Sequence, residues 1–201
     1  MNSGPGPGDV PDTFARALEA LRSVRLRPEI DLEETPAPQR LAPHAVALSA
    51  DVLAPGGPDE AELGTGRFVV LHDPAGHETW QGTFRVVTFV RASLEPELAA
   101  DPMVAQVGWS WLVEALESRR VLYTAVSGTV TRVVSEPFGS MAQREATAEL
   151  EIRASWTAAD SRLGPHLEAW GELLATVCGL PPLASGVVAA LPARSAPRRS
   201  R

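Results

Sequence analysis

The residues best placed to do chemistry are His72, Asp73, His77 and Glu78, in the run His72-Asp73-Pro74-Ala75-Gly76-His77-Glu78. Two histidines flanking a tight turn can face each other across a hairpin, with two carboxylates beside them. Such a set could hold zinc, manganese or ferrous iron, or move protons near neutral pH. The plainer reading is turn chemistry. Asp at the first turn position, Pro at the second and Gly at the fourth are what a tight turn selects, with exposed histidines next to it. The turn is the preferred reading, and a metal-dependent enzyme or metal-binding protein using these four residues is the alternative.

Other constellations are weaker still. Glu149 and Glu151 share one face of a strand and imitate a catalytic carboxylate pair, but Arg153 follows in register and favours a solvated or partner-facing stripe. Gly64-Thr65-Gly66 runs into a strand, whereas a phosphate needs a helix N-terminus behind its glycines. Ser140 lies in Gly-Ser-Met, with no base placed beside it. All 18 basic residues are Arg, so Schiff-base chemistry and a phosphate-loop lysine are excluded. Cys178 is the sole cysteine, which excludes an intrachain disulfide and a four-thiolate metal site. No cofactor is expected.

A net charge of −7 opposes a broad nucleic-acid or anionic-membrane surface. The first residues lack the basic start and apolar run of a signal peptide, and the cytoplasm is the expected setting. Residues 1–8 and 192–201 are expected to be disordered, around a single α+β domain over 9–191. The tail carries Arg194, Arg198, Arg199 and Arg201 and could touch RNA weakly.

The elements that must position these residues follow from periodicity. Phe14, Leu18 and Leu21 give an apolar helical face ended by Pro28. A possible short strand at Glu29–Glu33 precedes alternation through Val46, Leu48, Ala50 and Val52. Phe68–Leu71 and Thr83–Arg91 make the next strands, joined as a hairpin by Asp73–Gly76. A helix over Pro102–Arg119 buries Val104, Val107, Gly108, Trp111, Leu112 and Ala115. Val121–Ser135 is a long β-branched strand, with Gly128 marking a bend or bulge. Ala148, Leu150, Ile152, Ala154 and Trp156 alternate with Glu149, Glu151 and Arg153 in the cleanest strand of the chain. The last helix starts near Pro165, and Leu167, Trp170, Leu174 and Val177 form its stripe. The order α-β-β-β-α-β-β-α predicts a mainly antiparallel sheet with helices on one face.

Along residues 12 to 190 the chain resembles an actinobacterial family known as domain of unknown function number 3000. The likeness is carried by Arg27–Glu34, Ala37–Pro43, Gly66–Val87, Val107–Leu112 and Ala148–Trp156. The resemblance implies no activity or catalytic residue. At the level of element order the chain also looks like small acidic secretion-chaperone proteins, which bind polypeptides. The lack of a catalytic motif, together with a half-wet sheet and a surplus tryptophan, makes a non-enzymatic protein-interaction or chaperone-like module the first functional expectation, and an accessory factor in RNA metabolism is the third. The expected contact surface joins Val87 and Phe89, apolar on the wet side of their strand, with Trp80, Glu149, Glu151 and Arg153. It would bind a protein partner or a second copy.

Overall fold

The computed structural model describes residues 10–56 and 61–183, so the two expected disordered ends and the arginine tail lie outside the described residues. Pro11 opens helix α1 (Asp12–Ser23), which buries Phe14, Ala17 and Leu21 on one face. Four strands follow: β1 (Ile30–Thr35), β2 (His44–Leu53), β3 (Glu62–His77) and β4 (Gly82–Leu94). A one-turn helix α2 (Pro96–Ala99) leads into α3 (Val104–Ser118), then β5 (Tyr123–Ser135), β6 (Thr147–Ala158) and the closing helix α4 (Gly164–Val177). The six strands form one antiparallel sheet in the order β1-β2-β3-β4-β6-β5. This is the expected α+β class. The short strand foreseen near residue 30 is real and makes one edge of the sheet.

Two adjacent cross-strand rows show how the sheet sorts its faces. Leu32, Ala50, Gly66, Val90, Ile152 and Val130 lie in register across all six strands. The next row reads Glu33, Ser49, Arg67, Phe89, Arg153 and Thr129. Because side chains alternate along each strand, one row faces the helices and the other faces away. The first row is apolar throughout. The second is polar except for Phe89.

Gly66 is the hinge of this packing. A Cβ there would lie 2.6 Å from Cζ2 of Trp170 and 2.9 Å from Cδ2 of Leu174. The missing side chain leaves a hollow in the sheet, and the Trp170 indole of α4 fills it beside Phe68, ring centroids 5.5 Å apart. Trp170 is fully buried, and its Nε1 hydrogen finds no acceptor. Helix α3 joins α4 through Arg119, which donates to Glu168 and Glu172 at 3.0 Å each. On the other side Gly164 of α4 lets α1 approach, the Ala20 carbonyl lying 3.4 Å from where a Cβ would stand.

Two local expectations are corrected. Asp73–Gly76 does not reverse the chain; it forms a bulge inside β3, with Asp73 accepting from the Ala75 amide at 3.0 Å and Gly76 at φ 78°. The reversal falls at His77–Gly82, where Gln81 takes φ 58°. Asp-Pro-x-Gly chemistry suits a bulge as well as a hairpin, and Gln81 carried no turn signal. Helix α3 is also rotated from its expected orientation. It buries Val104, Gly108, Leu112, Ala115 and Leu116, leaving Val107 exposed and Trp111 half-buried. Gly108 explains this, since it seats the helix against Leu150, Ile152 and Val130.

Trp170→Ala empties the hollow above Gly66 and should destabilise the protein by about 3–5 kcal/mol in a denaturant titration. Trp170→Phe should cost markedly less, because it also deletes a buried donor with no partner. A loss below about 1 kcal/mol for the alanine variant would contradict this packing.

Candidate functional site

The His72–Glu78 segment does not assemble a cluster. His72 turns toward the helices, buried between Phe14 and Phe84, with ring centroids 5.7 Å and 4.1 Å away. The Thr83 carbonyl lies 3.0 Å from its Nδ1 and the Thr13 hydroxyl 3.4 Å from its Nε2. Burial and the neighbouring His44 hold its pKa down, with the Thr83 bond opposing them. His77 is exposed and stacks on Trp80 at 4.7 Å. The two histidines thus sit on opposite sides of the bulge. Among the described residues, no three His, Cys, Asp or Glu side chains are grouped to hold a metal ion.

Two further groups with chemical potential, one buried and one partly buried, are held inert. His166, unremarked in the sequence, is 3% exposed, and its Nδ1 accepts from Trp156 Nε1 at 2.8 Å. Burial pushes its pKa down to about 4 against a weaker opposing pull from Asp160. Its signal was the spacing to Trp170 and Leu173, four and seven residues on and so on the same helical face. The Cys178 thiol is pushed up to about 11 by burial and stays protonated at neutral pH.

The surface pointing away from the helices is uneven. Over β2 and β3 a second small core forms, where Ala47, Val69 and Leu71 are covered by Ala37, Ala42 and Trp80. Arg67 clamps that cover by donating to the Pro36 carbonyl at 3.0 Å. Trp80 is therefore a lid over its own sheet, remote in role from the other residues of the expected surface. Over β4 and β6 no such cover is described. Val87 is 38% exposed there, and Phe89 is half-buried under Arg153, whose guanidinium lies 5.2 Å from the ring centroid. Arg153 also binds Glu151 at 3.1 Å. Glu149 lines a separate dent of about 50 Å³ with Arg91 and Thr65. The apolar part of this patch is thus small and already capped by an arginine.

The larger apolar surface lies one strand further out, on β5. This strand starts with a bulge between Thr124 and Ser127, where Ala125 takes φ 50°. Arg85 pins the bulge, donating to the Ala125 carbonyl at 2.9 Å and to Ser155 Oγ at 2.6 Å. Gly128 then lets β5 close on β6: a Cβ there would strike the Arg153 carbonyl and come within 2.8 Å of the Trp109 ring. From Ser127 to Ser135 pairing with β6 is regular, and among the described residues no strand pairs with the other edge of β5.

Twelve large hydrophobic side chains are exposed among the described residues, and eight belong to β5 or its flanks. Val133, Val134 and Leu122 lie on or next to the strand, and Phe138 and Met141 follow it. Leu98, Met103 and Val107 are on α2 and at the start of α3, which pack beside it. Phe138 is 74% exposed. No other part of the described surface carries such a concentration.

One cavity of about 390 Å³ opens between α1 and strands β1 and β2, walled by Leu18, Leu21, Ile30, Val46 and Leu48. Its rim carries both signs of charge, and Arg22 and Glu34 pair across it at 3.5 Å. No helix among the described residues is long and apolar enough to cross a membrane.

A family model described as a protein of unknown function (DUF3000) matches residues 10–188. Neither the curated proteins nor the solved structures contain a match to this chain.

His72 and His77 should respond oppositely to truncation. His72→Ala removes a buried stacked ring and should cost about 2–4 kcal/mol, whereas His77→Ala should stay within about 0.5 kcal/mol. Equal, negligible losses in chemical denaturation would show that His72 is not packed as described.

The buried His166 makes stability pH-dependent. Its folded pKa lies below the ordinary value of 6.5, so on acidification the unfolded chain takes the proton first. Its contribution is complete above about pH 6.5 and declines until about pH 4, by about 3 kcal/mol in all. His72 acts in the same direction. His166→Gln should flatten the fall over this window in urea titrations at stepped pH, and an unchanged slope would contradict the assignment.

Proposed function

We propose that this chain, which belongs to the DUF3000 family of proteins of unknown function, works by binding a polypeptide along the outer edge of β5. The observation that carries this reading is the coincidence, among the described residues, of an unpaired strand edge with the main concentration of exposed apolar side chains. Unpaired backbone N–H and C=O groups on a strand are a template for another strand. Main-chain hydrogen bonds supply affinity in such strand addition, while flanking pockets and side chains supply specificity. Here Phe138 and Met141 on one side and Met103 and Val107 on the other are suited to that second role.

A polypeptide ligand also fits what is inert elsewhere. The single thiol is protonated, His166 is neutral and already bonded, and the exposed His77 is stacked on Trp80. The cytoplasm is the proposed setting, where a one-cysteine chain needs no disulfide. The patch at Val87 and Phe89, with Arg153, Glu149 and Glu151 around it, is the second candidate surface, favoured by the exposure of Val87.

The two surfaces are separable by mutation. Tagged full-length protein carrying Val134→Lys and Phe138→Asp should recover its native partner at least about tenfold less well than wild type, about 1.4 kcal/mol, by quantitative mass spectrometry. Phe89→Asp should recover it normally and keep its far-UV circular dichroism. Loss with Phe89→Asp and retention with the β5 variant would move the site to the β4–β6 face.

A further inference from the structure

We infer that the polypeptide taken up by the β5 edge is the β5 strand of a second copy of this chain, paired antiparallel about a twofold axis. This rests on the β5 edge being the binding surface, and adds the identity of the occupant. Three observations point to self-pairing.

The first is charge. Of the thirteen residues of β5, Arg132 alone is charged, and its guanidinium is folded back onto the Ala99 and Asp101 carbonyls at 3.0 and 2.8 Å. The strand therefore presents no free charge to its own image. The opposite sheet edge behaves the other way. β1 carries Asp31, Glu33 and Glu34 in six residues, so two β1 strands laid together would repel. On a chain of net charge −7, β5 is the edge along which two copies can meet.

The second is regularity. Natural sheets protect their edges with lysine, proline, inward charges or bulges. On β5 the bulge is confined to Thr124–Ser127, and the straight run Ser127–Ser135 carries no lysine or proline; its single inward charge, Arg132, is already bonded to the Ala99 and Asp101 carbonyls. At about 3.3 Å per residue that run offers an edge of about 30 Å.

The third is where the apolar flanks lie. Antiparallel pairing of identical strands within one sheet sets the twofold axis perpendicular to the sheet, an isologous contact in which each patch meets its copy. Helices α3 of both copies would then stand on the same face beside the junction. Met103 and Val107 are exposed near β5 on that face, as self-association across the axis requires.

Sedimentation equilibrium of the full chain tests this. A species of twice 21.4 kDa is expected, with Val134→Lys raising its dissociation constant at least about tenfold and leaving the far-UV circular dichroism unchanged. Hydrogen exchange on the wild type provides a mutation-free readout: amides within residues 127–135 should be protected in concentrated solution and lose protection on dilution. A chain monomeric at high concentration overturns self-pairing while leaving strand addition by another protein intact. A dimer that persists in the variant, or whose dilution leaves exchange at 127–135 unchanged, overturns it too, because the copies then meet elsewhere.

Discussion

The fit of one indole into one glycine hollow sets the arrangement of the helix layer. Trp170 can lie against the sheet because Gly66 has no side chain, and that contact places α4 over the middle strands. With α4 fixed there, α1 and α3 can only take the spaces on either side of it. Helix α3 then meets β5 at Val130 and Gly128 through Gly108 and Trp109. The layer has a finite width, and the far side of β5 falls beyond it. The exposed Val134, on the helix side of the strand, is a consequence of where that layer stops.

The two ends of the sheet are consequently different objects. At β1 the strand is short and its carboxylates keep other strands away, while the α1 side leaves a cavity whose rim is mixed in sign. At β5 the strand is long and neutral at its edge, and its pairing to β6 is secured from inside by Arg85 at the bulge and by Gly128 after it. Those two devices hold the strand flat against its neighbour without covering its other side. The same asymmetry explains why the face over β2 and β3 has its own lid, with Trp80 and the clamp from Arg67, whereas the face over β4 and β6 relies on one arginine above Phe89.

Much of this was legible in the residues, wherever a strand has one dry side. β6 alternates cleanly, and β4 carries Val87 and Phe89 on the side away from the helices as its parity required. Less legible were features that depend on a distant partner. Val107 and Trp111 belong to an apolar stripe in α3, yet Gly108, small enough to touch the sheet, decides which side goes down. His72 follows Leu71 next to a turn-like run, and nothing local shows that Phe14, some sixty residues earlier, stacks on it. The proposed β5 surface was not legible for a similar reason. Which strand ends at the edge is a property of the whole sheet order, in which β5 is displaced outward by β6. A trace was present: residues 123–135 carry a single charge, without the run of carboxylates that marks β1.

β5 and its flank are the proposed contact surface. A photo-cross-linking amino acid placed at Phe138, with Leu41 at the far side of the protein as control, would report this inside the cell. Both positions are exposed, at 74% and 59%. A discrete protein adduct from position 138 and none from position 41 is the predicted result; an adduct from position 41 with none from 138 would contradict it.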